Sequence, residues 1–202
     1  MERVFAVTFR RFLMPFVLLA VATPAAAQFS DSYSFLKAVR DRDGAKANDL
    51  LGKGSPTLVD TADLSTGERG LHIAVKARDL SWVGFLIQKG ARVDLKDGQG
   101  NTPLMVAARV GNLEAARVLI SRGANLNTTN SAGETPLIAS VQRRDLAMTR
   151  LLLTQGADPT RRDVGSGLSA RDYAVRDGRS DALIKLMDEI KPVPKKGVAG
   201  PK

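Results

Sequence analysis

Gly100-Asn101-Thr102-Pro103-Leu104-Met105-Val106-Ala107 returns 33 residues later as Gly133-Glu134-Thr135-Pro136-Leu137-Ile138-Ala139-Ser140. Stepping back by the same interval gives Gly67-Glu68-Arg69-Gly70-Leu71-His72-Ile73-Ala74. A second landmark keeps the same step: Gly90-Ala91, Gly123-Ala124 and Gly156-Ala157. Two independent landmarks on one period mark a tandem array of supersecondary units.

Each unit reads as two helices and a turn-rich link. A threonine hydroxyl caps the free N–H groups of a helix start, and proline fits its first position without losing a hydrogen bond. Thr102-Pro103 and Thr135-Pro136 therefore open helices. Leu104, Ala107 and Ala108 then share one face, and the alanines keep this helix thin. Gly111 stops it, and Asn112 or Asp145 starts the next. The second helix carries the bulk, as in Leu113, Ala116, Val118, Leu119 and Ile120, or Leu146, Met148, Leu151, Leu152 and Leu153. Trp82 falls among the apolar residues of an equivalent helix and reads as core. Gly90, Gly123 and Gly156 end these second helices with positive φ. Asp94–Gly100 is turn-rich and projects as a finger, which also accounts for Gly98-Gln99-Gly100 without a phosphate loop.

Degenerate copies flank the array. Phe35, Ala38, Leu50, Leu51 and Gly54 keep the pattern on one side, and Gly167–Ala174, Gly178 and Leu186 on the other. An end repeat must show one face to water, so atypical terminal copies are expected.

These segments resemble the ankyrin repeat, whose core reads G-x-T-P-L-H-x-A-A-x-x-G and whose second helix is followed by G-A-[DN]. The third copy matches through Gly100, Thr102, Pro103, Leu104, Ala107, Ala108, Gly111, Gly123, Ala124 and Asn125. The fourth matches through Thr135, Pro136, Leu137, Gly156, Ala157 and Asp158. The second keeps Leu71, His72 and Ala74 but has Arg69-Gly70 in place of Thr-Pro. The resemblance implies an all-α solenoid of about five helix–turn–helix repeats with β-hairpin-like finger loops, its end repeats serving as caps. The repeats span about 31–63, 64–97, 98–130, 131–163 and 164–190, within a domain over residues 28–190. It also implies protein binding through the fingers and the first helix of each repeat. Carried onto that concave face, the candidate contacts are Lys76, Gln99, Asn101, Arg109, Glu134, Gln142, Arg143 and Arg176. Lys76, Arg109, Arg143 and Arg176 read as one basic stripe suited to an acidic protein partner, since arginine grips carboxylates bidentately. A charged face that is merely solvated carries equal weight.

The chain ends add an address and a tail. Arg3, Arg10 and Arg11 precede an apolar run over Phe12–Ala22 and then Thr23-Pro24-Ala25-Ala26-Ala27. This is the layout of a cleavable secretory signal over residues 1–27, with Ala25 and Ala27 at the small-residue positions and Gln28 as the first mature residue. The apolar run is too short to span a bilayer, which takes roughly 20 residues. A periplasmic or secreted bacterial protein, monomeric and without a transmembrane segment once processed, is the expectation. Residues 191–202 carry Lys191, Lys195, Lys196 and Lys202 with no acid and read as a disordered basic tail. An alternative role follows, a tether holding the array to an anionic envelope surface.

The 202 residues are 44% hydrophobic, enough for a core, and the formal charge of +9 is concentrated at the two ends. Nucleic acid is not an expected partner, because the basic residues are not interleaved with aromatics for base stacking. There are no cysteines and one histidine, His72. Thiolate chemistry is excluded, and neither a zinc site nor a nucleophile–base pair assembles from what remains. His72 stands where the ankyrin pattern has a structural histidine. Asp94, Asp97, Asp158 and Asp163 read as turn formers, not calcium ligands. No cofactor, no metal and no catalytic residue is assigned; an unrecognised hydrolase or metal enzyme is the least favoured reading.

Overall fold

The computed structural model describes residues 24–190, with side chains from Asp31 onward. Of the expected signal segment, residues 1–23 lie outside the described residues and residues 24–27 fall in the first turn of α1; the expected basic tail, 191–202, also lies outside them. The helices are α1 (Pro24–Asp41), α2 (Gly44–Lys53), α3 (Gly70–Lys76), α4 (Leu80–Gln88), α5 (Pro103–Val110), α6 (Leu113–Ser121), α7 (Pro136–Gln142), α8 (Leu146–Thr154), α9 (Ala170–Asp177) and α10 (Asp181–Glu189), with one 3-10 turn at Leu58–Asp60. They pair in chain order. The first helices α1, α3, α5, α7 and α9 stack in one layer, and α4, α6, α8 and α10 stack in a second. This is a helical repeat solenoid. The described fingers contain no strand: only the isolated bridges Ala62 to Arg69 and Arg162 to Ser169 resemble a hairpin.

Local chemistry sets the helix starts. Thr102 Oγ1 accepts the Met105 N–H at 3.3 Å, and Thr135 Oγ1 accepts that of Ile138 at 3.2 Å, each ahead of a proline. Asp79, Asn112 and Asp145 cap the second helices, accepting from Trp82, Ala115 and Met148 at 3.1, 3.1 and 2.9 Å. Replacing such a cap by alanine costs about 1 kcal/mol. Repeat two lacks the Thr-Pro start. There His72 Nδ1 reaches back to accept the Arg69 N–H at 3.3 Å.

The first helices end in a left-handed residue. It is glycine at Gly111 and Gly178, but arginine at Arg42, Arg78 and Arg144, with φ of 60°, 56° and 56°. A side chain in that region costs roughly 1–2 kcal/mol. Each of these arginines reaches into the following repeat: Arg42 Nε lies 2.9 Å from Asp79, Arg78 donates to the Val110 carbonyl, and Arg144 Nε donates to Asp177 at 2.8 Å.

The core lies between the layers. Ala74, Ala107, Ala108 and Ala174 are buried in the first helices, where their small size lets neighbouring repeats approach. One leucine recurs in the second helices as Leu86, Leu119, Leu152 and Leu186, all buried, while Leu50 in the first repeat is only half-buried. Trp82 is buried and meets Phe85 edge to face, ring centroids 5.1 Å apart.

Polar bonds tie repeat to repeat. His72 is fully buried, and its Nε2–H donates to the Asn101 carbonyl at 2.9 Å, which fixes the tautomer once Nδ1 accepts from Arg69. Asn112 Nδ2 donates back to the Val75 carbonyl at 3.0 Å. The fingertips are joined backbone to backbone: Gly98 N–H to Thr66 O, Ser131 N–H to Gln99 O and Val164 N–H to Ala132 O, at 3.0, 3.0 and 2.9 Å.

Two predictions follow from this packing. Burial pulls His72 below the ordinary imidazole value of 6.5, against the smaller upward effect of the Asn101 carbonyl. As pH falls through about 6.5 the unfolded chain gains a proton that the folded chain refuses, so stability declines on acidification. His72→Met, which installs the residue that Met105 supplies one repeat later, should cost about 1–3 kcal/mol by orphaning the Arg69 N–H and leaving the Asn101 carbonyl with the Asp97 N–H alone. It should also flatten the change in urea midpoint between pH 7.5 and 5.5; an unaltered pH dependence would refute the role given to this imidazole. Second, Gly67 and Gly123 both have positive φ, 69° and 84°, but a Cβ on Gly67 would lie 2.3 Å from the Gly98 nitrogen, whereas one on Gly123 meets nothing within 4 Å. Gly123→Ala should therefore lose about 1 kcal/mol and Gly67→Ala at least about 1 kcal/mol more in urea unfolding.

Candidate functional site

Each finger is folded by one acidic or amide side chain. Asp97 Oδ1 accepts the backbone N–H groups of Gln99 and Asn101, both at 2.8 Å, and Asn130 Oδ1 accepts those of Ala132 and Glu134 at 3.0 and 2.9 Å. Asp63 accepts from Ser65 and Thr66 at 2.9 and 3.2 Å, and Asp163 from Ser166 and Gly167 at 2.6 and 3.1 Å. Burial pushes the Asp163 carboxyl up. The Tyr173 hydroxyl and the Ser166 and Gly167 donors more than reverse this and hold it at about 2. Asp97 and Asp163 are thus the turn formers expected of them. Asp94 does different work, accepting the Asn125 N–H at 2.9 Å to join the bases of neighbouring repeats.

The tips joined in this way form, with the exposed sides of α3, α5, α7 and α9, one continuous surface. The candidate contacts fall on it unequally. Gln99 is exposed at a fingertip. Asn101 is only 3% exposed: its amide donates to Asp97 at 3.0 Å and its Oδ1 accepts from Asn130 at 3.2 Å, so it holds fingers together and offers no side chain to a partner. Lys76 is exposed and pairs with Glu68 at 3.0 Å. Arg109 pairs with Glu134, which also accepts from Asn130 at 2.9 Å and Gln142 at 3.1 Å. Burial raises the Glu134 carboxyl, yet these donors together bring it below its ordinary value, so it stays charged. Arg176 is exposed and lies over the Tyr173 ring, 4.9 Å from its centroid.

The basic stripe needs a change of register. Counting nine residues from the finger glycines Gly67, Gly100, Gly133 and Gly167 gives Lys76, Arg109, Gln142 and Arg176. Gln142, not Arg143, completes the row. Arg143 is exposed one step further on, at the turn between α7 and α8, where its guanidinium lies beside Gly111. The stripe therefore has a neutral gap, and two of its three cations are matched by carboxylates of their own face.

Sequence reasoning passed over Tyr173. It occupies the position of Ile73, Val106 and Ala139 in earlier repeats, and the change to an aromatic at that step was the available signal. Chemically, the surface offers guanidinium and amide donors on a fixed backbone. Among the described residues no three His, Asp or Glu side chains gather as metal ligands, and no helix is long and apolar enough to cross a membrane.

Comparison with known families agrees with this geometry. The family profile described as ankyrin repeats (3 copies) matches residues 35–130 and, in an overlapping register, residues 71–163. The two matches together take in well over half of the chain, and they cover the capped pairs from α3 to α8, the buried His72 and the first three linked fingers. The chain belongs to the ankyrin repeat family.

Proposed function

We propose that this protein is an exported scaffold that binds another protein through its fingers and first helices. Ankyrin repeats are in general protein–protein interaction modules, and the family is typically non-enzymatic. One observation carries the reading for this chain: the fingertips are bonded backbone to backbone, so Gln99, Arg109, Gln142 and Arg176 project from a surface whose shape is set before any partner arrives. Preorganisation of this kind lowers the ordering cost of association. Export rests on the N-terminal sequence pattern. The four lysines of residues 191–202 favour a second role, contact with an anionic envelope surface.

A photo-reactive amino acid placed at Gln99 or Gln142 should cross-link a discrete protein in cells, whereas one at Arg150, exposed on α8 in the other layer, should not. Equal yields from both layers would remove this face as the docking site. The exported protein should begin at Gln28 by mass spectrometry, and Ala27→Glu should leave the precursor uncut; a mature form retaining Met1 would end the export reading. Deleting residues 191–202 should shift the protein from the envelope to the soluble fraction if the tail is a tether.

A further inference from the structure

The exposed positions along the docking face differ in how their charge is met. Lys76 and Arg109 face finger carboxylates, Glu68 and Glu134, and Gln142 is neutral. In the fifth repeat Leu168 stands where Glu68 and Glu134 stand earlier, so the finger offers Arg176 no acid. Arg176 forms no ion pair with any described carboxylate. Its guanidinium instead lies over the Tyr173 ring. Tyr173 is itself anchored, its hydroxyl donating to the buried Asp163 at 2.5 Å and sharing a hydrogen bond with Ser166 at 2.8 Å. A cation–π contact of this kind steadies the guanidinium without using its N–H donors, which stay available to a ligand.

Beside it runs a cleft of about 470 Å³ between α7 and α9, lined by Val141, Gln142, Tyr173, Arg176 and Asp177. Asp177 does not cancel Arg176, because it is already held by Arg144 and by the Ser180 hydroxyl at 2.6 Å, with Arg179 also nearby. Two arginines other than Arg176 thus already act on this carboxylate. The walls join this positive charge to the half-buried Tyr173 ring, and Gln142 has an amide N–H beyond the one given to Glu134.

We propose that this cleft, at the junction of the fourth and fifth repeats, receives an acidic peptide segment of the partner, one carboxylate on Arg176 and a neighbouring apolar side chain against the Tyr173 ring. A planar guanidinium matches a carboxylate in a bidentate fork, and the combination with an apolar wall selects a peptide over a bare anion. The proposal rests on the docking-face reading above and assigns it a location and a ligand chemistry.

The test is fluorescence anisotropy of the purified chain with a short labelled peptide built of glutamate and leucine, its glutamine counterpart, and a labelled oligothymidylate of equal charge. The glutamate peptide should bind at least about tenfold tighter than the glutamine peptide, and Arg176→Gln should weaken it by about tenfold, the loss of one charge-assisted contact. Arg150→Gln, at an exposed cation on α8 in the other layer, should change affinity by less than about twofold. Equal binding of the two peptides, an unaffected Arg176→Gln variant, or oligothymidylate bound as tightly as the acidic peptide would each overturn the proposal. The layer-specific cross-linking would still succeed in those cases if the docking face is right and only its chemistry is misassigned.

Discussion

A helix pair from this chain cannot hide its own apolar face, and that constraint organises the molecule. Leu86, Leu119, Leu152 and Leu186 are buried only because each has a neighbouring repeat to lie against. The first helices must then be thin enough for the pairs to close up, which is why alanine stands at Ala74, Ala107 and Ala174. Ser140 takes the same position in the fourth repeat. Its hydroxyl is satisfied by the Leu137 carbonyl at 2.8 Å and by Thr149 at 2.9 Å, so a polar atom enters the interior without being stranded. At the ends the requirement lapses: Val175 is exposed where Val75, Ala108 and Val141 are buried.

The fold was legible in the sequence because its signals are local. A threonine before a proline, an asparagine or aspartate ahead of an apolar run, and a glycine past the end each act within one turn of helix, and each does so here. His72 was legible for the same reason, through its place in a short motif. What escaped depended on the next repeat. Asn101 looked like a fingertip contact, yet its environment is made by Asp97 and by Asn130 of the following finger, so burial was invisible from its own neighbours in the chain. Arg78 and Arg144 sit where Gly111 has its left-handed turn, and the partners that hold them there, the Val110 carbonyl and Asp177, lie more than thirty residues away. The row of basic side chains suffered from an error of one residue, which on a helix moves a side chain to a different face.

The same division applies to the docking face. Which positions are exposed follows from the period, but which charges remain available depends on pairs such as Lys76 with Glu68 and Arg109 with Glu134. Much of the basic character of the sequence is consumed in holding the array together. The fifth repeat departs from this where Leu168 replaces an acid and Tyr173 replaces an aliphatic side chain, and there the arginine is left facing solvent.

The chain of single backbone bonds along the tips has a mechanical meaning. Gly98, Ser131 and Val164 each donate to the preceding tip, so fanning apart any two neighbours from the second repeat to the fifth requires breaking a hydrogen bond as well as opening the interior between them. Such a stitched spine resists bending at one joint alone and shares strain along its length. A partner wider than the resting curvature would have to flex the array as a whole, which makes the span of the groove itself a filter on what can be held.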